Sequence, residues 1–294
     1  MSLAEDLAPR VAAQPFGVEP VTAAIGAEIT GLDLSETLSD EVVAALDAAL
    51  VRHKVLFFRD QAITTEQHLA FGRRFGPLEI HPFAHSFKNF ANDKAAPELL
   101  IIESTSEKPN AADQWHSDVS FRLTPSLGSI LRARIVPEVG GDTLWADMAA
   151  AFEGLDDATR SHLSGLTAIH DWDNFRRGLR NQGMSEEKIA ELNAEYPPAE
   201  HPVVRTHPVS GQKILYVNAN FTVGIKGMAE SESRPLLERL DRQAAIPDYQ
   251  VRLRWRADTI AFWDNRSTQH YATKDFFPRH RLMERVTVAG DRPF

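Results

Sequence analysis

Cysteine is absent from the 294 residues of this chain. With no thiolate available, zinc–thiolate sites, iron–sulfur clusters and cysteine nucleophiles are excluded. Any metal must sit on imidazole nitrogen and oxygen ligands. The same absence agrees with a reducing compartment, and a chain of this size buries roughly 75% of its unfolded surface without disulfide staples. A surplus of positive charge is also missing, since 41 acidic residues against 32 Lys and Arg leave a formal net charge of −9. A general nucleic-acid binder needs a basic surface to neutralise phosphates, so that class is excluded. No stretch approaches the ~20 apolar residues of a membrane span. The opening MSLAEDLAPRVAAQPFG has neither the basic start nor the apolar run of a secretory signal. The expectation is a cytoplasmic protein with no nucleic-acid or membrane partner.

What is present has ordinary globular composition, 43% hydrophobic and 25% charged. No repeat, low-complexity tract or dividing linker interrupts it, so one domain over residues 1–294 is expected, with residues 1–15 as a loose tail. Val21–Thr30 reads as a strand. Ser39 caps a helix to about Arg52, with Val42, Val43, Leu46, Leu50 and Val51 as its apolar stripe. Lys54–Arg59 is a short buried strand, and Thr64 or Thr65 caps a helix ending near Gly76. Residues 81–113 are polar and turn-rich, the character of a lid-like loop, interrupted by the strand-like LLIIEST at 99–105. Leu127–Val136 is a strand, Gly140-Gly141-Asp142 a turn, and Thr143 opens another strand. Residues 147–200 read as a largely helical insertion. Strands return at Ile214–Val217, Val251–Arg256, Thr259–Trp263 and Arg285–Ala289, with a helix near Glu230–Ala245. Strands gathered from both ends around a helical insertion predict a β-sandwich or jelly-roll core decorated with helices.

Among 11 histidines and 41 acidic residues, His116-Ser117-Asp118 is the only His-x-acid pair. On a strand, positions two apart point the same way, so imidazole and carboxylate can converge on one ion. A distant histidine would complete a 2-His-1-carboxylate triad with open positions. The competing reading is a plain His–Asp hydrogen bond. Near the C-terminus, His270 follows a strand and the turn Asp264-Asn265-Arg266. Arg281 and Arg285 are four apart, hence on one strand face with Met283 and Thr287. Buried inside a barrel, each guanidinium needs an anion; otherwise they pair with Asp or Glu, or lie on an exposed face. His53, His162 and His170 read as structural, His201 and His207 as turn or strand-edge residues, and His85 and His280 as neighbours of the site. Trp115, Trp145 and Trp263 read as core supports.

Trp115-His116-Ser117-Asp118-Val119-Ser120-Phe121, Gly140-Gly141-Asp142-Thr143-Leu144-Trp145, and Trp263-Asp264-Asn265-Arg266 with Gln269-His270-Tyr271-Ala272, Arg281 and Arg285 together resemble the taurine dioxygenase family. Phenoxyacetate dioxygenases and alkylsulfatases belong to the same family. Order and spacing agree from about Val21 to the C-terminus. The resemblance implies a double-stranded β-helix (jelly roll) with helical insertions, and iron(II), 2-oxoglutarate and O₂ as cofactor and co-substrates. It implies that His116, Asp118 and His270 bind iron and that Arg281, with the Thr143 hydroxyl, holds the distal carboxylate of 2-oxoglutarate. Arg285 and His81 would contact the substrate anion, and Phe221 would form an aromatic wall. The expected substrate is a small organic anion, first an alkylsulfonate of the taurine type released as sulfite and an aldehyde. The alternatives are an alkyl sulfate ester or an aryloxyalkanoate. Ala84 and Ala112 stand where taurine-specific members carry Tyr and Asn, which implies a larger, less polar pocket. A homodimer or tetramer is implied by resemblance alone. A zinc-binding or inactive jelly-roll protein that senses a small acid is the rival outside the enzyme class.

Overall fold

The computed structural model describes residues 15–84, 86–87, 89–108 and 114–294. The expected tail, except Pro15, lies outside these residues, as do His85 and Ala112. The chain begins with a hairpin, β1 (Gly17–Pro20) and β2 (Ala27–Thr30), in place of the single strand expected over 21–30. The correction has a local cause. Gly26 takes φ +89, its carbonyl accepts from the Val21 amide at 2.8 Å, and the Thr22 hydroxyl bridges to Ile25. A strand cannot continue through that left-handed conformation. Ser39 then caps α1 (Asp40–His53), its Oγ accepting from the Val42 amide, and Leu46, Ala49 and Leu50 turn inward. Next come β3 (Val55–Phe58), buried throughout, and α2 (Thr65–Arg73), opened by a reciprocal Thr64–Gln67 capping box.

Three strands follow: β4 (Leu78–Glu79), β5 (Phe90–Asn92) and β6 (Leu99–Ser104). The lid-like stretch therefore contributes β5, paired with β6, to a sheet edge. After β7 (Gly128–Ile135), Gly140 and Gly141 turn at φ +82 and +76 into β8 (Thr143–Asp147). The expected helical stretch holds α3 (Met148–Glu153) and α4 (Asp157–Leu163), then an unforeseen strand β9 (Thr167–His170), then α5 (Asp173–Asn181) and α6 (Glu186–Glu195). Strand β9 joins β10 (Ala199–Pro202) on one side. A hairpin of β11 (Val204–Thr206) and β12 (Lys213–Leu215) follows, and then β13 (Thr222–Ile225), which pairs with the other side of β9. Helix α7 (Glu230–Asp241), extended by a 3₁₀ turn over Arg242–Ala245, leads to β14 (Gln250–Leu253), β15 (Ile260–Asp264), β16 (Thr268–Ala272) and β17 (Arg281–Val288).

The large sheet runs β1-β2-β3-β15-β7-β17-β6-β5, with β4 also on β17, and a three-stranded sheet β14-β8-β16 faces it. Alternation along the strands explains both faces. Val55 and Phe57 of β3, Leu131 and Ala133 of β7, and Ala261 and Trp263 of β15 point inward to meet Trp145, Val251 and Leu253 of the smaller sheet. Leu56, Phe58, Ile130, Ile260 and Phe262 point outward and are covered by Leu46 and Leu50 of α1 and Phe71 of α2. Full burial of each such side chain is worth about 1.5–3 kcal/mol. Two sheets sharing one inner layer make the expected jelly roll, and Trp145 and Trp263, 5.8 Å apart within that layer, are its supports.

Candidate metal centre and anion pocket

His116 reaches the core through an isolated bridge to β16. Its amide donates to the His270 carbonyl at 3.1 Å, and the His270 amide returns a bond to the His116 carbonyl at 2.8 Å. The Ser117 hydroxyl adds a bond to the Thr268 carbonyl at 2.7 Å. Residues 116–118 are thus no strand, which corrects the sequence reading. The chain turns directly after the bridge, with Val119 at φ +45. Asn265 aims Asp118 instead: its Oδ1 accepts from the Asp118 amide at 2.6 Å, and its Nδ2 donates to the Asp118 and Ser126 carbonyls at 3.0 and 3.1 Å.

Donor atoms of His116, Asp118 and His270 lie within 4.8 Å of one another, and all three residues are buried. The two Nε2 atoms stand 3.9 and 4.0 Å from Asp118 Oδ1. His116 Nδ1 meets the Gln114 carbonyl at 2.8 Å, which assigns the proton to Nδ1 and leaves the Nε2 lone pair inward. His270 Nδ1 is buried with no hydrogen-bond partner among the described residues. Burial depresses both imidazoles, His270 to about 3 with the neighbouring His116 adding to the effect, so both are neutral near pH 7. Burial alone would raise Asp118. Arg285, the two histidines and the Ser129 hydroxyl outweigh it and hold the carboxyl well below its ordinary range. Two neutral nitrogens and one carboxylate, without sulfur, are a donor set suited to a divalent first-row ion such as iron(II).

Beside this triad, Arg281 is only 4% exposed, yet no carboxylate stands within ion-pair distance of it among the described residues. Burial pulls its guanidinium down to about 10, partly opposed by the field of Asp142. A Cβ at Gly141 would come within 3.3 Å of Arg281 Cδ, so the glycine turn makes room for the arginine stem. Thr143 Oγ1 accepts from Trp255 Nε1 at 2.9 Å, which leaves the hydroxyl proton free to donate. Arg285 has a partner the sequence did not reveal: Nη1 lies 3.0 and 3.1 Å from the two oxygens of Asp118. His81 Nδ1 accepts from the Phe83 amide at 3.2 Å, which places its proton on Nε2 as a donor. Its imidazole is enclosed by protein yet open to the cavity, and burial with Arg285 nearby depresses it to about 3. The Phe221 ring stands edge-on to His116 at 6.2 Å.

Every expected site residue, His81, His116, Asp118, Thr143, Phe221, His270, Arg281 and Arg285, lines one cavity of about 600 Å³. Ala84 does not line it. That residue is buried in the turn whose amide returns to the His81 carbonyl, beside a fully buried Phe83. Residues that sequence reasoning passed over are Asn265, Ser129 and Trp255. The Asp264-Asn265-Arg266 turn between two strands was the available signal for the first. His207 holds the β11–β12 turn as expected, its Nδ1 accepting from the Val209 and Ser210 amides at 3.3 and 3.0 Å, and in addition its Nε2 donates to Asp264 at 2.9 Å in full burial. Arg266 grips the same carboxylate through Nε and Nη2 at 2.9 and 2.8 Å.

Burial would raise Asp264, but His207 and Arg266 reverse this and hold it well below the ordinary carboxylate value. A folded-state pKa depressed in this way adds stability that is present above about pH 4 and lost as the pH falls below it. Asp264→Asn is therefore expected to cost about 3–5 kcal/mol at pH 7 and to flatten that acid limb. Urea melts at both pH values check it. Equal stability of the two proteins at pH 7 would show that the ion pair does not hold the turn.

The family model described as taurine catabolism dioxygenase TauD, TfdA family, matches residues 17–287. An alpha-ketoglutarate-dependent sulfate ester dioxygenase of Pseudomonas putida is 36% identical, the match covering 94% of this chain and 90% of that protein. The crystal structure of a taurine dioxygenase from Burkholderia xenovorans superposes with a TM-score of 0.79 at 36% identity, covering 95% of this chain and 92% of that one. A second structure, AAD-2 in complex with Mn(II) and N-oxalylglycine, gives a TM-score of 0.78 at 30% identity over 95% of this chain and 98% of that one.

Proposed function

The chain belongs to the TauD/TfdA family and is an iron(II)- and 2-oxoglutarate-dependent dioxygenase, and on that premise we propose that it oxidises a small organosulfur anion bearing an apolar chain. His116, Asp118 and His270 hold the iron in this proposal, Arg281 with Thr143 binds the distal carboxylate of 2-oxoglutarate, and Arg285 with His81 binds the substrate anion. The single observation that carries the reading is a buried guanidinium, with no carboxylate partner among the described residues, in the same cavity as a convergent His-Asp-His set. Planar bidentate capture of a carboxylate is what guanidinium does and ammonium does not.

When bound, iron(II), 2-oxoglutarate and O₂ supply the oxidising chemistry, giving succinate, CO₂ and a hydroxylated substrate carbon. The protein's own part is position and charge. His116 and His270 present neutral nitrogens, and Ser129 and Asn265 fix the carboxylate and backbone of Asp118. Arg285 can share its guanidinium between Asp118 and an incoming anion, while His81 offers an Nε2–H from the facing wall. Anchoring the anion determines which carbon is presented for oxidation. Hydroxylation of the carbon bearing a sulfonate, or the ester oxygen of a sulfate, leaves a product that collapses to an aldehyde with sulfite or sulfate.

An alkylsulfonate is the first reading. The aromatic side of the cavity, Phe87, Phe90, Phe175 and Phe221, favours an alkyl sulfate ester as the second, because these rings offer nothing to taurine's ammonium beyond their faces. A single domain with 81–113 as its lid, and a cytoplasmic homodimer or tetramer, are parts of the same proposal. No helix among the described residues is long and apolar enough to cross a membrane. The test is anaerobic enzyme with iron(II) and 2-oxoglutarate, mixed with sulfonates, sulfate esters or aryloxy acids and then exposed to O₂. Succinate formed in step with sulfite or sulfate supports the proposal. Succinate coupled only to an aryloxy acid would replace it.

A further inference from the structure

Helix α5 carries a glycine that its own conformation does not require. Gly178 lies inside the helix with no left-handed φ, and glycine weakens a helix more than any residue but proline. A reason is visible on its outer side. A Cβ at this position would stand 3.3 Å from Phe87 Cε1 and 3.9 Å from Cζ, so the Phe87 ring lies directly against the helix backbone. Phe175, one turn earlier, meets the same ring edge-on at 5.3 Å.

The cavity follows this face of the helix. Asn174, Gly178 and Gln182 line it at intervals of four residues, the spacing that shares a helix face. Eight residues at 1.5 Å rise make this a wall of about 12 Å. Its inner end adjoins the metal centre, because Asn174 Nδ2 bonds Asn220, next to Phe221 and the His116 ring. Its outer end is the exposed Gln182. The wall therefore runs from the triad toward solvent, with Phe87 seated on Gly178 at its midpoint.

Resting on the organosulfur reading above, we propose that Gly178 is a specificity-determining residue that sets the chain length of the substrate. By lacking a Cβ it seats Phe87 against α5 and keeps the outer half of the cavity open to an apolar tail. A larger residue displaces the ring, or itself projects, into the path of the tail, while the anion and the first carbons beside the triad are untouched.

The test compares kcat/KM of the iron-loaded enzyme for butyl, hexyl, octyl and decyl sulfates, with the matching sulfonates in parallel. Wild type should gain roughly fourfold per added methylene while the tail is being buried. Gly178→Leu should hold butyl sulfate within about twofold of wild type and lose more than about tenfold on decyl sulfate, the equivalent of two or more buried methylenes. Gly178→Ala should fall between them, and adding Phe87→Ala to Gly178→Leu should restore the long chains. Equal loss at every length, or no change at any, overturns the proposal, as does failure of the double variant to recover. An enzyme that turns over aryloxyalkanoates and no organosulfur anion would refute the substrate reading alone. The same variants on aryloxy acids with short and long ring substituents then judge the residue, and a loss independent of length there overturns it too.

Discussion

Alanine in place of His270 is expected to leave a folded protein that no longer holds iron(II) and makes no succinate above background. Removing even an outer partner of a metal ligand costs roughly 10–100-fold in affinity, so loss of a ligand itself should exceed about 100-fold. The imidazole is buried and bonded to the rest of the protein through its backbone, and its ring Nδ1 has no partner among the described residues to lose. The fold should therefore survive the truncation better than the metal does. Anaerobic titration with Mn(II), followed by calorimetry or electron paramagnetic resonance, separates the two. Wild-type metal affinity in the variant would rule out the His116–Asp118–His270 centre.

Arg281→Met should produce two effects of opposite sign. Without its charge-assisted bonds, worth about 1.5–3 kcal/mol, the apparent affinity for 2-oxoglutarate should fall by roughly 10- to 150-fold. Stability of the ligand-free protein should rise, by on the order of 1 kcal/mol, because a buried guanidinium without a carboxylate is costly and a thioether in that space is not. That corresponds to a melting temperature about 1.5–2 °C higher for a chain of this size. Arg281→Lys should recover little of the affinity, since a point charge lacks the planar fork. A Met variant with unaltered 2-oxoglutarate affinity, or one less stable than wild type without ligand, would show that Arg281 is a structural cation.

The site was legible in the sequence wherever its parts are short contiguous blocks. His116 and Asp118 lie two apart, and Arg281 and Arg285 share a strand face, so their convergence could be read from local periodicity. The reasoning for the first pair was nonetheless wrong in detail. Their side chains meet through a bridge and a turn with Val119 at positive φ, not through a strand. Contacts between distant segments were not legible. Asn265 clamping Asp118, Trp255 orienting Thr143 and Arg285 resting on Asp118 leave no periodic trace. The missed strand β9 is four residues long with alternating burial and sits between helices, too short for its period to stand out. The hairpin at 17–30 was blurred for a related reason, because the turn between its strands is held by Thr22 and Gly26 rather than by an Asn-Gly signature.

The doubly bonded contact between His116 and His270 has a consequence for how the enzyme loses its metal. The bridge joins positions 154 residues apart, and the neighbouring Asp118–Asn265 clamp spans 147 residues of sequence. No terminal fraying can dismantle such a centre piecemeal. The decay of the metal's spectroscopic signal in denaturant should therefore overlay the loss of the tryptophan core.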